Sequence, residues 1–105
     1  MEFCTEECPY RKILSIFGKR YTLSILRVLF HHGIARFNKI ANEVSGSPKT
    51  ITDRLVELCE AGIVKREAFA EIPPRVEYSL TEKGLDLKPV MDQIRAWGMK
   101  WIRVV

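Results

Sequence analysis

The chain has 105 residues, which is about the length of one domain with one modest hydrophobic core. Its net charge of +4 at pH 7 suits a polyanionic partner, and its hydrophobic content of 47% is ordinary for a globular protein. The longest apolar runs are much shorter than the roughly 20 residues that span a bilayer, and the N-terminus is acidic, unlike a secretory leader. We therefore expect a cytoplasmic protein without a membrane partner.

The first third of the chain predicts two helices that build a scaffold. Pro9 can open the first helix and Gly18 ends it. Thr22 can cap the second helix, which is largely apolar. Lys19 and Arg20 lie just before the second helix, where they either meet a phosphate or form a solvated basic loop.

Residues 37–62 predict a helix-turn-helix. A short helix runs into a break at Ser45-Gly46, and a second helix is capped by Ser47 and opened by Pro48. The second helix carries an apolar stripe at i, i+4 and i+7, formed by Ile51, Leu55 and Leu58. Polar residues near its N-terminus lie off this stripe. They either reach base edges in a major groove or form an ordinary solvated face.

Two strand-like runs at 63–70 and 75–80 predict a hairpin, or wing, over about 63–80. Prolines stiffen its tip, and we expect the hairpin to be basic. Arg75 lies just past the tip, where it either contacts DNA or pairs with Glu71 or Glu77. The complete set of DNA-binding candidates is Arg20, Arg36, Ser47, Lys49, Thr50, Thr52, Asp53, Arg54 and Arg75.

The C-terminal segment predicts a helix over about 81–104 that Thr81 caps and that Pro89 either kinks or restarts. One apolar stripe follows this helix: Leu87, Val90, Met91, Ile94, Trp97 and Trp101. Two tryptophans on one stripe are more apolar surface than a small monomer hides, and aromatic side chains are common at interfaces. The stripe therefore predicts a homodimer.

The same motifs resemble the HxlR-type family of winged-helix transcriptional regulators, which is related to MarR-like regulators. The resemblance extends from Cys8-Pro9 to Trp97-Gly98, and its most specific part is the run at 73–81. It implies an α+β, mostly α winged helix-turn-helix in a single domain, 1–105, with a two-stranded wing and N- and C-terminal dimerisation helices. The implied partners are double-stranded DNA and a second copy of the chain. The implied dimer interface consists of Ile13, Val90, Met91, Ile94, Trp97 and Trp101.

The cysteines allow several interpretations. Cys8 precedes a predicted helix N-terminus, where the dipole favours a reactive thiolate. In the resembling family this position senses oxidants or electrophiles in some members and is silent in others. The alternative is a structural thiol, and Cys4 could pair with Cys8 only if the N-terminus unwinds. Cys59 is expected to be buried. A zinc site built from these cysteines and the two histidines lacks a tight ligand spacing, so we predict no metal and no cofactor.

The sequence contains no nucleotide-binding loop, hydrolase or metalloprotease motif, so we do not expect an enzyme. The preferred function is a homodimeric transcriptional regulator that binds a (pseudo)palindromic operator, with thiol oxidation or electrophiles as the hypothesised control. The alternative is a winged-helix module that binds protein or RNA without a specific operator. The sequence does not identify a small-molecule effector.

Overall fold

The structure is a computed structural model that describes residues 8–102. Within this range the elements are α1 (Pro9–Phe17), α2 (Thr22–His32), β1 (Ile34–Ala35), α3 (Phe37–Val44), α4 (Pro48–Glu60), β2 (Val64–Phe69), β3 (Arg75–Leu80), α5 (Glu82–Leu85) and α6 (Lys88–Trp101). The predicted fold class is confirmed, because a helix-turn-helix formed by α3 and α4 is followed by a hairpin wing. None of the described helices is long and apolar enough to cross a bilayer.

Local sequence signals set most helix ends. The Ser47 hydroxyl accepts a hydrogen bond from the Thr50 amide at 3.2 Å, and Pro48 occupies the first turn of α4. Gly62 follows α4 with a positive φ of 75°, which a glycine adopts without strain. The prediction that Thr22 caps α2 is wrong. Tyr21 holds the cap position with φ 72°, and Thr22 is a buried residue of the first turn.

The core lies between α2, α3 and α4. The predicted stripe of α4 is confirmed, since its three apolar residues are each at most 1% exposed. The largest fully buried apolar side chains are Ile25, Leu26, Leu29, Ile40, Ile51, Leu55 and Leu58. Burying a side chain of this size is worth roughly 1.5–3 kcal/mol, so the stripe firmly sets which face of α4 points inward.

The sheet has three antiparallel strands in the order β1-β3-β2. The wing strands pair from Val64 opposite Leu80 to Phe69 opposite Arg75. The two-residue strand β1 adds Ile34 opposite Ser79, a pairing that the sequence reading did not include. The sheet packs against the helices because Val64 is buried and Tyr78 contacts the core.

The C-terminal segment forms two helices, and Pro89 lies in the first turn of the second. Thr81 caps α5 by accepting from the Gly84 amide at 3.1 Å, and its hydroxyl donates to the Gly62 carbonyl at 2.5 Å. Gly84 is buried so close to the wing that a Cβ there would collide with the Ile63 carbonyl oxygen. These contacts hold α5 against the end of the sheet, directly before α6.

Candidate DNA-binding interface

The outward face of α4 is a continuous exposed stripe. Its exposed residues are Pro48, Lys49, Thr52, Asp53, Val56 and Glu60, which we call the outward stripe. Lys49 and Asp53 form an ion pair, with 3.4 Å between the ammonium nitrogen and the carboxylate oxygen. The Thr52 hydroxyl donates to the Pro48 carbonyl oxygen at 2.8 Å. The stripe therefore offers one cation, one carboxylate and one hydroxyl within two turns of the helix N-terminus.

Two of the DNA-binding candidates contribute to the start of α4. The Ser47 hydroxyl donates to the Thr50 hydroxyl at 3.0 Å while it accepts from the Thr50 amide. Thr50 is only partly exposed. Both hydroxyls are thus engaged within the cap, where they hold the helix end in position.

The Arg54 side chain is turned away from the outward stripe. It is only 18% exposed, and one guanidinium nitrogen lies 2.6 Å from both carboxylate oxygens of Glu57. Glu57 also accepts from the Lys19 ammonium at 3.0 Å. The hydrogen bonds from Arg54 and then Lys19 lower the pKa of the Glu57 carboxyl. This triad joins α4 to the loop between α1 and α2, and sequence reasoning missed Glu57 because a charge on a helix carries no sign of a distant partner.

The same loop touches the turn of the helix-turn-helix. A Cβ placed on Gly46 would lie 2.9 Å from Cδ1 of Ile51 and 3.0 Å from Cε2 of Tyr21. The turn therefore requires glycine for close packing against the Tyr21 ring. Arg20 is exposed, and its guanidinium lies 4.9 Å from the centroid of that ring. Arg20 is thus placed next to the turn that leads into α4.

Arg36 is exposed at the N-cap of α3. A cation at this point lies beside the α3 helix N-terminus, whose amides also favour an anion. The structure thus brings Arg20, Arg36 and the outward stripe onto the part of the molecule formed by the helix-turn-helix and the loop preceding α2.

The expectation of a basic wing is wrong. Residues 63–80 contain three cations and three carboxylates: Lys65, Arg66, Arg75, Glu67, Glu71 and Glu77. Lys65 pairs with Glu67 at 2.7 Å. The Nε of Arg75 lies 3.4 Å from Glu71 and 3.5 Å from Glu77, and its guanidinium covers the Phe69 ring at 4.2 Å. In this structure Arg75 makes the ion pairs that were the alternative to DNA contact.

A second surface is apolar and uncovered. Neither α1 nor α6 contains a fully buried residue, although both are strongly amphipathic. Trp97 is 60% exposed and Trp101 67% exposed. We call the exposed apolar residues along the stripes of the two helices the α1/α6 face: Tyr10, Ile13, Leu14, Val90, Ile94, Trp97 and Trp101. Of the predicted interface residues, Met91 alone is partly buried and packs against the core.

The cysteines occupy different environments. Cys8 is the N-cap of α1 and is 8% exposed. Cys59 is partly buried; burial raises the pKa of its thiol, and the charge of Arg66 opposes that shift. Cys4 lies outside the described residues. Among the residues from 8 to 102 no cluster of three or more metal-binding side chains occurs, and His32 instead contacts the Glu43 carboxylate at 2.6 Å.

Comparison with known proteins assigns the chain to a known group of regulators. Residues 16–105 match the HxlR-like helix-turn-helix family. The HTH-type transcriptional regulator YvaP of Bacillus subtilis is 38% identical over 100 residues, covering 93% of this chain and 92% of YvaP.

Solved structures of similar proteins share the fold. A MarR-family regulator of Porphyromonas gingivalis W83 superposes with a TM-score of 0.85 at 37% identity, covering 97% of this chain and 100% of that protein. The reduced form of the transcriptional regulator YodB of B. subtilis gives 0.79 at 36% identity, with 91% and 95% coverage. Diamide-treated YodB gives 0.74 at 34% identity, with 95% and 100% coverage.

We predict that Glu57→Gln destabilises the protein in a pH-dependent way. Because the folded-state pKa of Glu57 is lowered, its contribution is fully present above the carboxyl's ordinary range, from about pH 5 upward. The contribution is lost as pH falls through the lowered pKa. Urea unfolding of both proteins should therefore show a stability difference at pH 7 that shrinks toward pH 3. An equal difference at both pH values would contradict the role of the triad.

Proposed function

The chain belongs to the HxlR-like helix-turn-helix family of transcriptional regulators, and we propose that it binds a (pseudo)palindromic operator as a homodimer through one winged-helix domain. The observation that carries this proposal is the outward stripe of α4, which the buried stripe on the opposite side of the same helix holds toward solvent. An exposed helix face with donors and acceptors near its N-terminus suits insertion into a major groove.

The nine DNA-binding candidates fall into three groups. Lys49, Thr52 and Asp53 face base edges, and the Asp53 carboxylate can accept from a cytosine amino group. Arg20 and Arg36 contact phosphates, as does Arg75 once it exchanges Glu71 and Glu77 for the DNA backbone. The three remaining candidates support the helix itself: Ser47 and Thr50 form its cap, and Arg54 holds Glu57, the carboxylate that Lys19 binds from the preceding loop.

The α1/α6 face is the proposed dimer interface. Two exposed tryptophans beside exposed aliphatic residues form the kind of apolar patch that a second protein surface covers. A two-fold arrangement through these helices would present two copies of α4. Their separation must match about one helical turn of DNA, roughly 34 Å, for both to enter the major groove on one side of a duplex.

Loss of a phosphate contact and loss of a base contact should change DNA binding in different ways. Arg20→Ala should weaken binding to every duplex and flatten the dependence of affinity on salt by about one unit. Lys49→Ala should instead change the preferred sequence, with about 1–3 kcal/mol lost at one base pair. The measurements are selection of bound duplexes and titration of labelled DNA at several salt concentrations.

The matched control for this prediction is Lys88→Ala. Lys88 is an exposed cation that pairs with Asp92 on α6, so its loss should leave the sequence preference and the salt dependence unchanged. If Lys49→Ala and Asp53→Ala both leave affinity and preference unaltered, α4 is not the recognition helix. Preferential binding of an RNA duplex, with no selected DNA, would favour the alternative function.

A charge introduced on the α1/α6 face should dissociate the proposed dimer. Trp97→Asp should convert a dimer to monomers in analytical ultracentrifugation at micromolar concentration, because it would bury an unpaired carboxylate in the interface. Ala96→Asp is the control, since this exposed residue lies off the apolar stripe of α6 and should leave the dimer intact. A wild-type mass of one chain would refute the proposed dimer.

Cys8 is the proposed site of thiol control. Cys8 is the N-cap of α1, at the positive end of the helix dipole, a position that favours a thiolate. Because Cys8 is 8% exposed, a bulky adduct or an intersubunit disulfide would displace the start of α1. Since α1 contributes to the α1/α6 face, this displacement would alter the spacing of the two α4 helices. The similarity to YodB, which has been studied in reduced and diamide-treated forms, supports the proposal.

We expect diamide, which accepts two electrons and two protons as it couples two thiols to a disulfide, to change operator affinity in the wild type. Cys8→Ser should not respond. Cys59→Ser should respond like the wild type, because Cys59 lies near the C-terminal end of α4, where no helix N-terminus favours a thiolate, and burial raises the pKa of its thiol. The measurement is operator affinity before and after treatment, with a quinone as a second reagent. An equal response in Cys8→Ser would leave Cys8 a structural residue.

A further inference from the structure

We propose that Val56 is a specificity-determining residue whose side chain contacts the C5-methyl group of a thymine in the operator. This inference rests on the proposed function, in which α4 enters the major groove. It adds the type of base that one position of each half-site must contain.

Val56 belongs to the outward stripe rather than to the core. It is 50% exposed, whereas its neighbour Leu55 is 1% exposed. An α-helix turns by about 100° per residue, so Val56, seven residues after Lys49, lies on nearly the same face two turns later. The three residues Lys49, Thr52 and Val56 therefore follow one line along the surface of α4.

The location of Val56 separates it from the proposed dimer interface. The α1/α6 face is confined to two other helices, while Val56 extends from the helix that carries the polar candidates for base contact. A groove of about 570 Å³ separates α4 from the wing, and Thr52 and Val56 line its helix side while Arg66 lines the strand side. The wing therefore leaves Val56 uncovered, and an exposed cation stands across the groove from it.

The chemistry of the major groove selects the partner of an apolar side chain. Each base pair presents hydrogen-bond donors and acceptors there, and the thymine C5-methyl is the only apolar group among them. Val56 has no polar side-chain atom and gains nothing from a donor or an acceptor. Cytosine or a purine at the same position would place polar edges against the isopropyl group and would lose hydration without replacement.

Thr52 makes the same part of α4 more apolar than its sequence suggests. Its hydroxyl hydrogen is donated to the Pro48 carbonyl oxygen, so the hydroxyl is not available as a donor to a base. The Lys49 ammonium is likewise paired with Asp53 one turn along. The proposed polar contacts to bases thus lie in the first two turns of α4, at Lys49 and Asp53, and the proposed apolar contact lies in the third turn, at Val56.

The test begins with selection of bound duplexes by the wild-type protein, which yields the operator. Each thymine of the operator is then replaced by uracil, which removes only the C5-methyl group. We expect one uracil position per half-site to weaken wild-type binding by about four-fold, the value of one buried methyl group. Val56→Ala should weaken binding to the thymine operator to a similar extent and should show no further loss with uracil at that position.

The variant is expected to fold. Val56→Ala replaces a β-branched residue at an exposed helix position with a stronger helix former, and circular dichroism with thermal unfolding checks this. Leu85→Ala is the matched control, because it removes an exposed apolar side chain on α5 and should keep the full thymine-uracil difference.

The outcomes separate this inference from the proposed function. If no duplex is enriched, the operator-binding proposal fails and the Val56 inference fails with it. If an operator is enriched but every uracil substitution has the same effect in wild type and Val56→Ala, the function stands and the Val56 inference is wrong. The same conclusion follows if no uracil substitution weakens the wild type.

Discussion

Burial of the inner stripe of α4 is the constraint on which the rest of this surface depends. Ile51, Leu55 and Leu58 are almost fully buried in the core, and replacing any one of them with alanine would cost about 2–5 kcal/mol. Because an α-helix is rigid, fixing its inner face also fixes its outer face. The outward stripe is therefore positioned by apolar packing on the far side of the helix, and the polar residues that would meet DNA need few contacts of their own.

The parts of the fold that follow local rules could be predicted from the sequence. The cap at Ser47, the proline after it and the period of the α4 stripe are set within a few neighbouring residues, and the structure confirms them. The misjudged features depend on residues far apart in the chain. Tyr21 caps α2 in a left-handed conformation while its ring packs on Gly46, and neither propensity nor periodicity contains such a contact.

In the candidate site, too, contacts between residues of different elements could not be predicted from the sequence. Periodicity places Arg54 off the buried stripe, but only the fold reveals that its guanidinium is held by Glu57, which also binds Lys19 from the preceding loop. A count of charges shows that the wing is neutral. The structure was needed to show that Arg75 pairs with Glu71 and Glu77. Arg75 is only 29% exposed, so exchanging its carboxylate partners for a phosphate also requires its guanidinium to leave the Phe69 ring.

The loop between α1 and α2 connects the helix of the proposed thiol control, α1, with the helix of the proposed base contacts, α4. It holds α4 through Lys19 and Glu57, and it supports the helix-turn-helix through the contact of Tyr21 with Gly46. Its other end is the last turn of α1, the helix that Cys8 precedes and that supplies three residues of the α1/α6 face. A displacement of α1 caused at the thiol or at the proposed dimer interface would therefore reach α4 through packed side chains and one ion-paired triad. Such contiguous contacts are a physical route for coupling, since neither end can move without breaking or remaking them.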